Sequence, residues 1–276
     1  MTSIVRGAAR LLPIGFKRQV RRLIPAWLIA REPELSKAGM INHLAGVHGY
    51  RRYLELCTPS TGLQYARIDR SKLLTCTRLM YRCSDDYDDG MVVDHRSADL
   101  DIAGCLQEIR RKGQAPFDIA LIDSYHEYGT SWRDLVEGFH LLRPGGTLMV
   151  HDCLPPTAEI AGPEFESGAW CGVTYQAFID FVSSRDDLAF YTVDTDYGCG
   201  VVRKLAGPSA AHRPGDRAST DVSGANNEPA ALFKEWQARR DDHRARFAFL
   251  QAHKHRLLNL ISIEEFFARE RRSTAD

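Results

Sequence analysis

The sequence lacks several features that would assign it to a class at once. Its seven cysteines contain no C-x-x-C pair, its 36 basic residues balance 36 acidic ones, and no apolar run is long enough to cross a bilayer. No G-x-G-x-x-G follows a predicted strand, which disfavours a nicotinamide-dependent enzyme. The cysteine pattern favours reduced core cysteines in a cytoplasmic protein over disulfides or a zinc site. The balanced charge argues against nucleic acid as a partner.

Composition divides the chain into four segments. Residues 1–39 are predicted to form a basic helical extension with no acidic residue before Glu32. This extension is interpreted as a packing helix with a solvated basic face or as a peripheral membrane or partner-docking element, and a mitochondrial-type targeting sequence is also compatible. Residues 40–205 hold an α/β domain, and 206–231 read as a flexible linker. Residues 232–276 form a helical tail whose apolar stripe should dock on the domain or on a second subunit, as in a homo-oligomer.

The most informative segment, residues 117–152, predicts one complete βαβ unit. Its first apolar run is typical of a parallel strand buried on both faces, and this strand ends at Asp123. Ser131 and Asp134 have capping-box spacing and predict the start of the crossover helix. The helix is predicted to end at the Pro-Gly-Gly of residues 144–146.

The second strand of this unit, residues 147–150, delivers His151 and Asp152 to the rim where Asp123 already lies. In open α/β sheets, ligands bind at the carboxyl ends of the strands. Further strands are predicted at residues 50–56, 73–83, 91–95, 188–194 and 201–204, and further helices at 34–48, 61–68, 102–111 and 172–184. The last two strands are joined by a tight turn and should pair antiparallel.

This order of elements resembles the class I S-adenosylmethionine-dependent methyltransferases over about residues 40–204. The motifs that carry the resemblance are Asp123-Ser124-Tyr125-His126, Leu142-Arg143-Pro144-Gly145-Gly146 and His151-Asp152. Within the superfamily they are similar to the macrocin-like and mycinamicin-like sugar O-methyltransferases, many of which need magnesium. The resemblance implies a Rossmann-like α/β fold, with a mostly parallel seven-stranded sheet and an antiparallel last strand. It also implies O-methylation of a hydroxyl on a carbohydrate or glycosylated small molecule.

The resemblance further implies a set of site residues. His126 is the expected catalytic base, with Asp123 beside it, because histidine changes charge near neutral pH. Asp123, Asp152 and His151 are the expected ligands of a divalent cation, magnesium or another metal that suits imidazole better. The alternative is that Asp152 caps the following loop and Asp123 orients His126 or the cofactor. The expected contacts of S-adenosylmethionine are Glu55, Leu56, Cys57, Thr58, Gly62, Asp99, Asp123 and Ser124.

Two segments depart from the pattern of the resembling enzymes. Cys57 and Pro59 stand where small, flexible residues are expected to approach the cofactor. The second predicted strand carries no carboxylate for the ribose hydroxyls, unless Asp85 or Asp86 replaces it. These departures keep an alternative open, in which a methyltransferase-like fold without catalytic activity serves as a binding or assembly module.

Overall fold

The computed structural model describes residues 34–165, 169–206 and 228–272. The basic segment before residue 34 and most of the predicted linker lie outside the described residues, so both interpretations stay predictions. The described residues from Leu35 onward belong to one structural unit. Among their helices, none has the length and hydropathy that crossing a membrane would require.

One sheet runs through the whole unit. Its strands are β1 (Arg52–Cys57), β2 (Thr75–Met80), β3 (His95–Arg96), β4 (Phe117–Asp123), β5 (Leu142–Val150), β6 (Leu188–Val193), β7 (Cys199–Lys204) and β8 (Leu260–Ile261). They lie in the order β3-β2-β1-β4-β5-β7-β6-β8. β7 is antiparallel to β5 and β6, and the other neighbours pair in parallel. The predicted Rossmann-like α/β fold is confirmed, and β8 adds an eighth strand that the predicted sheet of seven lacked.

Helices cover both faces of this sheet. They are α1 (Lys37–His48), α2 (Ala103–Arg111), α3 (Tyr128–Leu141), α4 (Thr174–Ser183), α5 (Glu228–Gln237), α6 (His243–Leu257) and α7 (Ile263–Arg272). Buried side chains of α2 to α6 share one core with Leu54 and Leu56 of β1. Buried side chains of α1 and α7 share the other core with Tyr53, whose side chain points to the opposite face because alternate strand residues do. The result is a three-layer α/β/α arrangement.

Some predicted local elements are wrong in detail. The capping box at Ser131 and Asp134 does not form, because α3 already begins at Tyr128. Instead, Asp134 accepts a hydrogen bond from the Ser124 hydroxyl, and both side chains are buried. Residues 62–67 form a 3-10 helix rather than an α-helix. Of the predicted strand 91–95, only its last residue is extended, in β3.

The C-terminal helices pack on the domain itself. Trp236 of α5, Leu250 of α6 and Leu257 of α6 are fully buried in the core that also contains the sheet. Phe266 of α7 is fully buried in the opposite core. Because the apolar stripe of this segment is covered by its own domain, both cores are completed by the last described residues of the chain.

Candidate active site

The candidate site lies where β4 and β5 end side by side. These strands are parallel and pair Ile122 with Val150, so Asp123 and the His151-Asp152 pair reach the same rim. One ligand atom each of Asp123, His126 and Asp152 lies within 4.8 Å of the others, and all three side chains are buried. The structure therefore brings together the acidic groups and the histidine that the sequence predicts at this rim.

His126 is held in one orientation by its surroundings. Its Nδ1 lies 3.0 Å from Asp152 Oδ2 and 3.3 Å from the hydroxyl of Thr174. The ring packs edge-to-face against Trp170, with 5.4 Å between ring centroids. The backbone of Gly172 approaches so closely that a Cβ there would lie 2.2 Å from the carbonyl oxygen of His126. When Nδ1 donates to Asp152, Nε2 of the neutral ring is free to accept a proton.

His151 lies between three carboxylates. Its Nδ1 is 3.3 Å from both Asp123 Oδ1 and Asp152 Oδ2, and its Nε2 is 3.5 Å from Asp196 Oδ1. Burial opposes protonation, but Asp152 and Asp123 together raise the pKa of His151 well above its ordinary value. Likewise, burial opposes ionisation of Asp152, yet His151 and His126 hold its pKa well below the usual range. His151 is thus positioned as a cation, although the sequence analysis proposes it as a metal ligand.

Lys37 is a site residue that the sequence analysis missed. Its ammonium group donates a hydrogen bond to Asp123 Oδ2 and lies 3.5 Å from the carbonyl oxygen of Thr61. Burial opposes ionisation of Asp123, but Lys37 and His151 hold the pKa of this carboxyl below its ordinary value. The residue falls within the predicted N-terminal extension. The only local signal is Ser36, a good N-cap residue that places Lys37 in the first turn of α1.

The end of β1 holds the predicted cofactor residues, and it is tightly packed. The buried carboxyl group of Glu55 accepts a hydrogen bond of 2.6 Å from the hydroxyl of Tyr53. Arg78 donates to the carbonyl oxygen of Gly62 at 2.9 Å. A Cβ at Gly62 would lie 2.6 Å from Arg78 Nη2 and 2.7 Å from Cys57 Sγ. The backbone of Gly62 is therefore closed to a ligand on this side by the protein's own side chains.

The adjoining loop still offers polar groups of the kind that S-adenosylmethionine needs. Thr58 lies beside the hydroxyls of Ser60 and Thr61, and Thr61 donates to the backbone carbonyl of Asp123. Together with Glu55 and Asp123, they place two buried carboxyl groups and three hydroxyls around the neighbouring ends of β1 and β4. This set suits a cofactor that carries an ammonium group and ribose hydroxyls. The loop fits the cofactor chemically, whereas the Gly62 backbone does not provide the expected open approach.

Three predicted cofactor residues lie apart from this set. Leu56 faces the core on the other side of the sheet. The hydroxyl of Ser124 donates to Asp134. The carboxylate of Asp99 accepts from the hydroxyl of Ser97 at 3.0 Å and from the backbone N–H of Asp101 at 2.7 Å. Their proposed contact with a cofactor stays a prediction.

The acidic rim also fits a divalent cation. Within the described part of the chain, Asp123 Oδ1 forms no hydrogen bond, although His151 Nδ1 lies 3.3 Å away as its ion-pair partner. A carboxylate oxygen has two lone pairs, so Oδ1 can accept a further ligand. The carboxylates of Asp123 and Asp152 with the imidazole of His126 form a ligand set that several divalent metals accept.

Comparisons with known proteins find one family model and several solved structures that are similar to this chain. Residues 78–153 match a family model described as a methyltransferase domain. The structure is similar to the O-methyltransferase from Bacillus cereus in complex with SAH, with 15% identity and a TM-score of 0.47, over 68% of this chain and 88% of that chain. It is similar to the O-methyltransferase TomG from Streptomyces achromogenes in complex with SAM, with 16% identity and a TM-score of 0.46, over 68% and 86%.

A further similar structure is the MycE methyltransferase of the mycinamycin biosynthetic pathway, in complex with Mg, SAH and mycinamycin VI. It is 17% identical with a TM-score of 0.40, over 59% of this chain and 47% of that chain. No curated protein matches the sequence. The strand order is that of the predicted Rossmann-like α/β fold, and the match to the methyltransferase-domain model covers residues 78–153 of it.

Proposed function

We propose that this protein is an S-adenosylmethionine-dependent O-methyltransferase that acts on a hydroxyl group of a small molecule. The observation that carries the proposal is the buried His126–Asp152 pair beside Asp123, at the rim where ligands bind in open α/β sheets. A hydroxyl is a poor nucleophile until its proton is removed. A histidine held by a carboxylate is a suitable acceptor for that proton.

The catalytic pair, His126 and Asp152, acts on the acceptor hydroxyl rather than on the methyl donor. S-adenosylmethionine supplies an electrophilic methyl group when it is bound. His126 Nε2 accepts the proton of the acceptor hydroxyl as the oxygen attacks, and Asp152 stabilises the imidazolium that forms. Trp170 packs on the ring and helps exclude water from it. Glu55, Thr58 and Asp123 would hold the cofactor.

A divalent cation would be held by the carboxylates of Asp123 and Asp152. Such an ion would lower the pKa of a hydroxyl bound to it. Asp123 Oδ1 forms no hydrogen bond among the described residues, which supports this assignment, and the closeness of Asp152 provides a second anionic ligand.

A neighbouring cleft supports a carbohydrate as the acceptor. The cleft has a volume of about 440 Å³, and its wall includes Val173, whose N–H donates to the carbonyl oxygen of His126 at 2.9 Å. The rings of Tyr128 and Trp132 stack there with an interplanar angle of 8°. Aromatic faces, combined with amide and charged groups, suit the apolar faces and hydroxyls of a sugar. The polar lining residues are Gln176, Asp180, Ser184, Gln237, Arg240, Asp241, His243 and Arg246.

One observation favours a second candidate, a non-catalytic binding or assembly module. Arg78 and Cys57 fill the space against Gly62, where a methyltransferase is expected to hold its cofactor closely. Calorimetry with SAH separates the two candidates. The module predicts no heat of binding at high micromolar SAH, whereas the enzyme predicts saturable binding.

The direct test is a methyl-transfer assay. Purified protein is incubated with S-adenosylmethionine and a panel of free sugars and glycosides, and SAH formation is measured by mass spectrometry. H126N is expected to lower kcat by about a hundredfold or more, because it removes the proton acceptor. H140N changes an exposed histidine at the end of α3 and is the matched control. Equal activity in H126N and the wild type would exclude His126 as the base.

A further inference from the structure

The ammonium group of Lys37 is a charged group buried at the candidate site, and the proposed chemistry does not use it. We propose that Lys37 is a built-in counter-ion that occupies the cation position at Asp123 and so sets how tightly the site binds a divalent metal. Metal and ammonium would compete for the same carboxylate. This role rests on the metal site proposed above, but it concerns metal affinity, so it can be tested without any methyl-transfer reaction.

The contacts of Lys37 and Asp123 support competition. Both side chains are almost completely buried, with side-chain exposures of 8% and 1%. The ammonium group takes Asp123 Oδ2, while Oδ1 forms no hydrogen bond among the described residues and has His151 Nδ1 at 3.3 Å. A carboxylate that offers only one oxygen, next to a fixed positive charge, binds a second cation less tightly than a free carboxylate does.

Backbone and capping hydrogen bonds at the start of α1 fix the position of Lys37. Its backbone N–H donates to Asp196 Oδ2 at 3.3 Å, and the carbonyl oxygen of Leu35, two residues earlier, accepts a 2.8 Å hydrogen bond from the hydroxyl of Thr195. Ser36 caps the helix by accepting from the N–H of Gly39. The start of α1 is therefore anchored to the turn between β6 and β7. This anchoring directs the side chain at Asp123.

The side chain can also yield the position. Lysine carries its charge on a flexible stem of four carbons, so the ammonium group can move away while the helix stays in place. The carboxylate of Asp152 lies within reach of the same metal position. A divalent cation would then gain two carboxylates at the cost of the Lys37 contact. Affinity for the metal should be weak in the wild type and much tighter when the ammonium group is removed.

The experiment is a titration of metal-free full-length protein with MnCl2, in which free Mn²⁺ is followed by electron paramagnetic resonance. K37M keeps most of the length of the side chain but removes its charge, and it is expected to bind Mn²⁺ at least tenfold more tightly than the wild type. K37R keeps the charge and is expected to bind like the wild type. K72M removes an exposed lysine and is the matched control. The double variant K37M/D123N should lose the gain.

Stability gives a second readout, since K37M removes the ammonium partner of the buried Asp123 carboxylate. Its melting temperature should fall without metal and rise in MnCl2 by more than that of the wild type. If K37M does not fold without metal, K37Q and refolding of K37M in MnCl2 test the same point. Equal or weaker Mn²⁺ binding in the uncharged variants, or a gain in K37R as large as in K37M, would overturn the proposal. Neither result bears on methyl transfer.

Discussion

Glu55 has a buried carboxyl group on β1, and it pairs in register with Arg78 on the neighbouring strand β2. Burial raises the pKa of Glu55 to about 7, although the hydrogen bond from Tyr53 and the charge of Arg78 act in the opposite direction. Because the folded-state pKa lies above the ordinary value of 4.5, this residue favours the folded state most below pH 4.5. That contribution is lost as the pH rises through about 7.

The variant E55Q removes this titration while keeping an acceptor for the hydroxyl of Tyr53. Relative to the wild type, E55Q is expected to be about 2 kcal/mol more stable at pH 8 than at pH 5, measured by urea unfolding. E235Q changes an exposed glutamate of α5 and should give the same difference from the wild type at both pH values. A difference for E55Q that does not depend on pH would show that Glu55 is ionised throughout.

The residues of the site differ in how well the sequence predicts them. Asp123, His126 and Asp152 follow directly from the ends of two apolar strands, since parallel neighbours must end at one rim. Lys37 pairs with Asp123 across 86 positions of sequence, and no local pattern marks such a pair. Arg78 is similar, because a charged residue inside a strand gives no sign that it will pack against the loop of Gly62.

The loop before α4 controls the position of His126 in the candidate site. Gly172 has a positive φ of 56°, and its Cα faces the backbone of His126. Since α4 begins directly after this turn, the packing of one helix fixes the position of the proposed base. The sequence shows a glycine here, but only the structure shows what a side chain would meet.

G172A adds a methyl group where there is no room. The variant is expected to lower the free energy of unfolding by about 2 kcal/mol, through strain at positive φ and displacement of His126, measured by urea unfolding. G46A provides the contrast, because a Cβ at Gly46 of α1 would meet no heavy atom within 4 Å. It is expected to be more stable than the wild type by about 0.5 kcal/mol. If both substitutions have the same effect, close packing at Gly172 is not the cause.

Element boundaries were less predictable than element types. The spacing of Ser131 and Asp134 matches a capping box, yet α3 starts at Tyr128 and uses both side chains for tertiary contacts. A local pattern of this kind describes the chain only where no distant partner competes for the same atoms. The strands were predicted more reliably, because long apolar runs depend on burial rather than on one hydrogen bond.

At the scale of the whole molecule, the C-terminal helices complete the core. Trp236 is fully buried, donates to Asp180 Oδ1 at 2.6 Å, and packs under the guanidinium group of Arg246, 4.4 Å from the ring centroid. Asp180 in turn pairs with Arg246 at 3.1 Å. These contacts connect α4, α5 and α6 through one buried ion pair and one aromatic ring.

W236A should therefore weaken the entire fold. The expected loss in the free energy of unfolding is about 3 to 5 kcal/mol, because a large buried ring and a partner of Asp180 are removed together. Urea unfolding followed by circular dichroism measures it. L74A truncates a side chain that is 77% exposed and should change stability by less than about 0.5 kcal/mol. A small effect of W236A would mean that α5 does not belong to the cooperative unit.

The pairing of β8 with β6 has a consequence for how the protein is made. Leu260 and Ile261 lie beside Thr192 and Val193, so one border of the sheet is assembled from residues that are translated well after the strand they pair with. Until Trp236 and β8 have been translated, that border exposes unpaired backbone groups, and the space that Trp236 fills is open to water. A nascent chain must therefore wait for α5, α6 and β8 before it can reach its mature packing.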